Sequence, residues 1–146
     1  MIEGIIFDWV QTLSKGSREL FPYSEKVLRK LKPKYKLGLV SLAGHGNNKR
    51  WEDIEATGVK HYFDSIIIDV VKNAEMYLRC IKEMETTPKT TAIVDDRTVR
   101  GIKIGNELGC QTYWIKNGPY SHETPNEKTG KPTYVINSVE DLLKLL

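Results

Sequence analysis

The residues with the means to do chemistry in this chain are carboxylates that follow apolar runs. Ile5-Ile6-Phe7 leads into Asp8, and Thr91-Ala92-Ile93-Val94 leads into the pair Asp95-Asp96. A short apolar run is a buried strand, and an acid behind it either closes a turn or stands at the strand tip as a nucleophile or a ligand for a hard cation. Two acid-tipped runs favour the second use, because strand ends on one edge of an open parallel sheet share the crevice where ligands bind. Ser41, after Leu37-Gly38-Leu39-Val40, brings a hydroxyl to the same edge if the connection is a right-handed crossover, and Lys72 stands ahead of a helical stripe. Taken singly, Ser41 is a strand-end turn residue and Lys72 a solvated lysine near a helix start.

The elements that must position these groups alternate in type. After the first strand, residues 14–21 read as a short polar connector with Gly16. A helix then starts at a Ser24 cap, carries Val27, Leu28 and Leu31 as its stripe and ends at Pro33. The second strand covers 36–41, and a loop with two glycines around His45 leads to a helix over about 48–57, closed by Gly58. A third strand over 65–69 precedes Lys72 and a helix over about 74–84, on which Met76, Tyr77, Cys80, Ile81 and Met84 recur at helical spacing. Past Asp96 the pattern predicts a helix over 98–108 with Val99, Ile102 and Leu108 inward and Gly109 at its end. A strand over 110–115 follows with Trp114 in the core. Residues 116–132, polar and rich in Gly, Pro and Asn, read as an exposed loop, before a strand over 133–136 and a helix over 138–146 capped by Ser138 and Asp141. The alternation predicts an α/β fold: a doubly wound, Rossmann-like parallel sheet flanked by helices.

The composition fits one globular domain over 1–146, with 40% hydrophobic and 28% charged residues. A formal charge of +3, with 22 basic residues spread along the chain, gives no basic stripe, so nucleic acid is not an expected partner. Cys80 and Cys110 are expected as buried free thiols. No signal peptide and no apolar run of membrane-spanning length stands out, which predicts a soluble, cytoplasmic protein without a membrane partner.

The motifs, in order and spacing, resemble those of the haloacid dehalogenase superfamily. Asp8-Trp9-Val10-Gln11-Thr12-Leu13 is similar to the family's first motif, D-x-D-G-T-L. Leu37 to Ser41 matches the second, Lys72 within Val71 to Tyr77 the third, and Ile93-Val94-Asp95-Asp96 the fourth. The connections on either side of the second motif are too short for a cap domain, so the resemblance implies a capless member. It also implies Mg²⁺-dependent phosphoric monoester hydrolysis through an aspartyl phosphate at Asp8. Ser41 and Lys72 would serve the transferring group, and the metal would lie between Asp8, Asp96 and the Val10 carbonyl, with Asp95 a further ligand or a supporting acid. Two positions depart from the pattern. Val10 replaces the Asp that acts as general acid–base in family phosphatases, and Gly101 stands near the place of an acidic residue often found beyond the fourth motif.

Valine neither protonates a leaving group nor activates water, so three readings stay open. The chain is a weak or specialised phosphatase for good leaving groups, or it recruits His45 as the acid, or it is a catalytically impaired domain that binds phosphate or a protein partner. Dehalogenation is disfavoured, because it needs an apolar pocket that a cap usually supplies, and because paired acids suit a metal. Arg97 either contacts substrate or caps the next helix. An open site suits a phosphorylated macromolecule, or a phosphorylated small molecule enclosed by the 116–132 loop or by a second copy in a homo-oligomer.

Overall fold

The computed structural model describes residues 1–16, 18–43 and 47–146, with residues 47 and 48 described by their backbone alone. Its centre is β1 (Gly4–Phe7), fully buried, which pairs in parallel with β4 (Lys36–Leu42) on one side and β6 (Thr91–Asp95) on the other. Strands covered on both faces read as continuous apolar runs, the pattern seen in the sequence. With β5 (Ser65–Asp69), β7 (Gln111–Ile115) and β8 (Tyr134–Ile136) the sheet has the order β5-β4-β1-β6-β7-β8, every pair parallel.

Alternation along β1 divides the core. Ile5 and Phe7 join one buried cluster with Val27 and Leu28 of α1 (Ser24–Leu31), Ile54 of α2 (Asn47–Thr57) and Leu142 of α5 (Leu142–Leu145). Ile6 points to the other face, onto Met76, Tyr77, Cys80 and Ile81 of α3 (Ala74–Glu83), where Ile104 and Leu108 of α4 (Lys103–Leu108) also pack. The expected doubly wound sheet is what forms. Gly58 and Gly109 end their helices at φ 78° and 87°, the left-handed region that a residue without Cβ enters freely.

Several local expectations need correction. Where a short polar connector is expected, β2 (Ser14–Gly16) and β3 (Glu19–Leu20) pair as a small antiparallel ribbon. Arg18 ties it to α2 through Asp53, with Nε 2.9 Å from Oδ1. Ser24 does not cap α1: Tyr23 holds the cap position, and the Ser24 hydroxyl donates instead to the Leu13 carbonyl at 2.6 Å, closing the excursion. The helix expected over 98–108 opens with a wide π-type turn over Thr98–Ile102, which rolls Val99 outward to 45% exposure while Ile102 stays buried. The last helix is split between a 3₁₀ turn over Val139–Asp141 and α5; Ser138 caps it as expected, accepting from the Glu140 N–H, while Asp141 reaches one residue further back and accepts from the Asn137 N–H instead of closing a capping box. Cys80 and Cys110 are buried free thiols, and Trp114 is in the core. No helix among the described residues is long and apolar enough to cross a membrane.

Candidate active site

All strands are parallel, so their C-terminal ends open on one edge. Asp8 follows β1 directly, and its N–H extends the ladder to the Val94 carbonyl at 3.1 Å. Asp95 ends β6 and Asp96 comes next, its carbonyl held by the Trp114 indole N–H of neighbouring β7 at 3.0 Å. One carboxylate oxygen from each of Asp8, Asp95 and Asp96 can be chosen so that all three lie within 4.8 Å of one another.

Lys72 reaches this cluster because the chain bends between β5 and α3. Asn73 caps α3 by accepting from the Met76 N–H, which sets the helix start one residue beyond the lysine. The Lys72 side chain is 3% exposed, with Nζ 2.8 Å from Asp8 Oδ1 and 3.3 Å from Asp95 Oδ2. Its ammonium also lies 5.9 Å from the centre of the Tyr77 ring. The solvated-lysine reading is thereby excluded.

Asp95 is held more tightly than its neighbours. Oδ1 accepts from the Arg97 N–H at 3.1 Å, and Oδ2 from the Gly101 N–H at 2.9 Å besides Lys72. A methyl group on Gly101 would run into this carboxylate, so glycine there serves the close approach of the wide turn to Asp95. Asp95 is thus a buried anchor for the turn and for Lys72.

The charges are strongly coupled. Burial pushes the Asp8 carboxyl up, Lys72 pulls it back and Asp95 pushes it up again, leaving it at about 6. Burial also raises Asp96, and repulsion from Asp95 and Asp8 adds to it, for a value of about 8. Burial opposes ionisation of Asp95 too, but Lys72 and the hydrogen bonds from Asp96 and the Arg97 N–H outweigh it and hold its carboxyl low. Lys72 itself loses by burial and gains more from Asp8 and Asp95, which keeps it charged.

Above the carboxylates lies a cavity of about 250 Å³, lined by Asp8, Val10, Ser41, Asp96 and Tyr120 among others, and by Arg50, Arg97 and Arg100. Ser41 is buried there, its hydroxyl donating to the Leu42 carbonyl at 2.9 Å. Val10 faces the cavity from the position whose acid is absent. Arg97 neither caps by its side chain nor points free: it pairs with Glu123 at 3.1 Å and stacks 3.8 Å over the Tyr120 ring. Glu123 also accepts from the Thr98 hydroxyl and the Val99 N–H, so the 116–132 segment, an exposed loop as expected, is bonded to the wide turn and sets Tyr120 against the cavity. A larger groove of about 560 Å³, lined by Glu3, Lys32, Tyr35 and Lys36, lies at the opposite, N-terminal ends of β1 and β4, away from the carboxylates. His45 lies outside the described residues. Arg50 and Arg100 carried no motif or periodicity that marked them in the sequence.

The sequence matches the haloacid dehalogenase-like hydrolase family over residues 1–115, most of the chain. The chain belongs to that family. A curated relative named glyceraldehyde 3-phosphate phosphatase, from Methanocaldococcus jannaschii, is 28% identical over 132 residues, covering 86% of this chain and 56% of its own length. The chain spans about half the length of the curated relatives it matches. A haloacid dehalogenase-like phosphatase from Thermococcus onnurineus superposes with a TM-score of 0.80 at 16% identity, over 99% of this chain and 97% of that one. L-2-haloacid dehalogenase from Xanthobacter autotrophicus gives the same TM-score at 12% identity, over 99% and 98%. Equal likeness to a phosphatase and to a dehalogenase makes the fold neutral between the two chemistries, which the side chains must decide.

Against the family's first motif, Gln11 takes the place of glycine. It adopts φ 64° all the same, its amide donating to the Lys15 carbonyl at 3.0 Å. The motif turn is therefore kept although two of its residues differ. Among the described residues, the β2–β3 ribbon is the regular structure in the first connection, where a cap domain would be inserted, and α2 with a short 3₁₀ turn is that in the connection between β4 and β5.

Proposed function

We propose that this chain is a Mg²⁺-dependent phosphoric monoester hydrolase of specialised range, working through an aspartyl phosphate at Asp8. The observation that carries this reading is the Lys72 ammonium set between Asp8 and Asp95, with Asp96 beside them, where Asp8 and Asp96 line the cavity. An all-oxygen donor set rich in carboxylates suits a hard divalent cation, and burial with mutual repulsion leaves Asp8 and Asp96 under-neutralised by Lys72 alone. Asp8, Asp96 and the Val10 carbonyl would hold the ion, with Asp95 behind them. Bound there, Mg²⁺ would offset the repulsion between an anionic nucleophile and an anionic phosphoryl group.

Lys72 holds Oδ1 of Asp8, so the other oxygen is left to attack phosphorus. The bond to the departing oxygen breaks with its electron pair, and water then releases phosphate from Asp8. Ser41, on turning its hydroxyl from Leu42, would donate to a phosphoryl oxygen. Val10 supplies no proton, so the departing oxygen leaves with its full charge. A small phosphorylated molecule fits the cavity volume better than a macromolecule. The triose phosphate in the curated relative's name is of a size this volume accepts, but as an alkyl ester it belongs with the slow substrates of a site that has Val10 in place of the acid.

The test is steady-state turnover with Mg²⁺ across leaving groups: acetyl phosphate and aryl phosphates should react, glycerol 3-phosphate hardly at all. A flat dependence on the leaving group contradicts the assignment at Val10. The second reading, a phosphate-binding domain without turnover, is favoured by that same residue and is the conclusion if acetyl phosphate is stable to the protein.

A further inference from the structure

We infer that the cavity holds a second anion-binding subsite, built from Arg50 and Arg100, for a carboxylate or second phosphate on the leaving-group side of the substrate. Both arginines line the cavity that holds Asp8 and Ser41. Nε and Nη1 of Arg50 are buried with no hydrogen-bond partner among the described residues. Buried polar atoms are nearly always paired, so two orphaned guanidinium nitrogens on a cavity wall point to a ligand that pairs them.

The third arginine of the cavity shows the contrast. Arg97 is neutralised by Glu123 and stacked on Tyr120. Neither Arg50 nor Arg100 has an ion pair among the described residues, and neither lies within ion-pair distance of Asp8 or Asp96. Lys72 already serves the nucleophile. A transferring phosphoryl group takes up the volume of a few water molecules, roughly 60–90 Å³, and the cavity offers about 250 Å³. The remaining space belongs to the leaving group. The planar guanidinium forks match the two oxygens of a carboxylate or the oxygens of a phosphate.

This inference depends on the phosphatase reading for which group reacts, so its test uses probes that do not react. Calorimetric titration of the native protein, with Mg²⁺, compares ethylphosphonate, 3-phosphonopropanoate and ethane-1,2-diphosphonate. The inference expects the second anion to tighten Kd by about 10- to 100-fold, through a carboxylate in one probe and a phosphonate in the other, which also tells the two anion types apart. Arg50→Gln and Arg100→Gln should each remove most of that gain and leave ethylphosphonate within about twofold. Two variants on separate elements guard against one that fails to fold. Equal Kd for one anion and two overturns the inference, and so does loss of ethylphosphonate binding in Arg50→Gln, which would assign the arginine to the reacting group. Absence of acetyl phosphate turnover in the same preparations removes the phosphatase reading and leaves this binding comparison intact.

Discussion

Lys72 illustrates how burial turns an ordinary residue into a determinant of the site. At 3% exposure it neutralises two carboxylates that burial would otherwise protonate. Removing one partner from a buried ion pair leaves an uncompensated charge, so Lys72→Met should cost about 3–5 kcal/mol in chemical denaturation. It should also abolish turnover by the material that remains folded. Val10→Asp makes the reciprocal test at the neighbouring position. The turn that would aim the new acid is intact, since Gln11 keeps the left-handed conformation, and Val10 lines the cavity. Turnover of alkyl phosphates should rise by up to about 10²- to 10⁴-fold, and that of acetyl phosphate far less. Asp8, Asp95 and Asp96 were legible in the sequence because they end apolar runs, and Lys72 only through its likeness to the family's third motif. Arg50 was not, because an arginine in a helix of mixed charge looks the same whether its guanidinium faces water or a cavity.

At the scale of elements, the wide turn over Thr98–Ile102 governs the geometry of the site. It brings the Gly101 N–H to Asp95 and the Thr98 hydroxyl and Val99 N–H to Glu123. Gly101→Ala would press a methyl onto the Asp95 carboxylate, and overpacking of this kind typically costs about 1–3 kcal/mol. Thermal melting should report that loss, with weaker Mg²⁺ binding by calorimetry, because the shifted Asp95 carries Lys72 and Asp96 with it. The periodicity predicted a regular helix here with Val99 inward. It had no means of registering an extra residue in one turn, which rotates the first half of the helix while Ile102 still packs. The β2–β3 ribbon escaped notice for a related reason: two strands of two and three residues are held by the Arg18–Asp53 pair across 35 positions and by Ser24, not by any local pattern.

For the molecule as a whole, a parallel, doubly wound sheet followed from the alternation of apolar runs with helical stripes, and the polar edge of the sheet from the acids that end those runs; the strand order did not. What the sequence could not carry is the electrostatic balance of groups brought together from positions 8, 72, 95 and 96. That balance makes stability depend on pH and metal in a defined direction. In metal-free protein Asp8 titrates near 6 and Asp96 near 8, both above the 3.8 of an unfolded chain. The folded state then binds more protons than the unfolded one between about pH 4 and 8, and stability falls as pH rises through that window. With chelator present, Tm should decrease from pH 5 to pH 8. Mg²⁺ requires deprotonated ligands, so its stabilisation should be small at pH 5 and grow toward pH 8. A Mg²⁺ effect that shrinks with rising pH would show that these carboxylates do not bind the ion.

The central claim is that Asp8 carries the phosphoryl group, and the direct measurement is mass spectrometry of protein quenched in acid during turnover of acetyl phosphate with Mg²⁺. Peptide mapping should find one added phosphoryl group, on Asp8, absent when chelator replaces Mg²⁺ and absent in Asp8→Asn. Phosphoryl label on another residue, or turnover that continues in Asp8→Asn, would contradict the account.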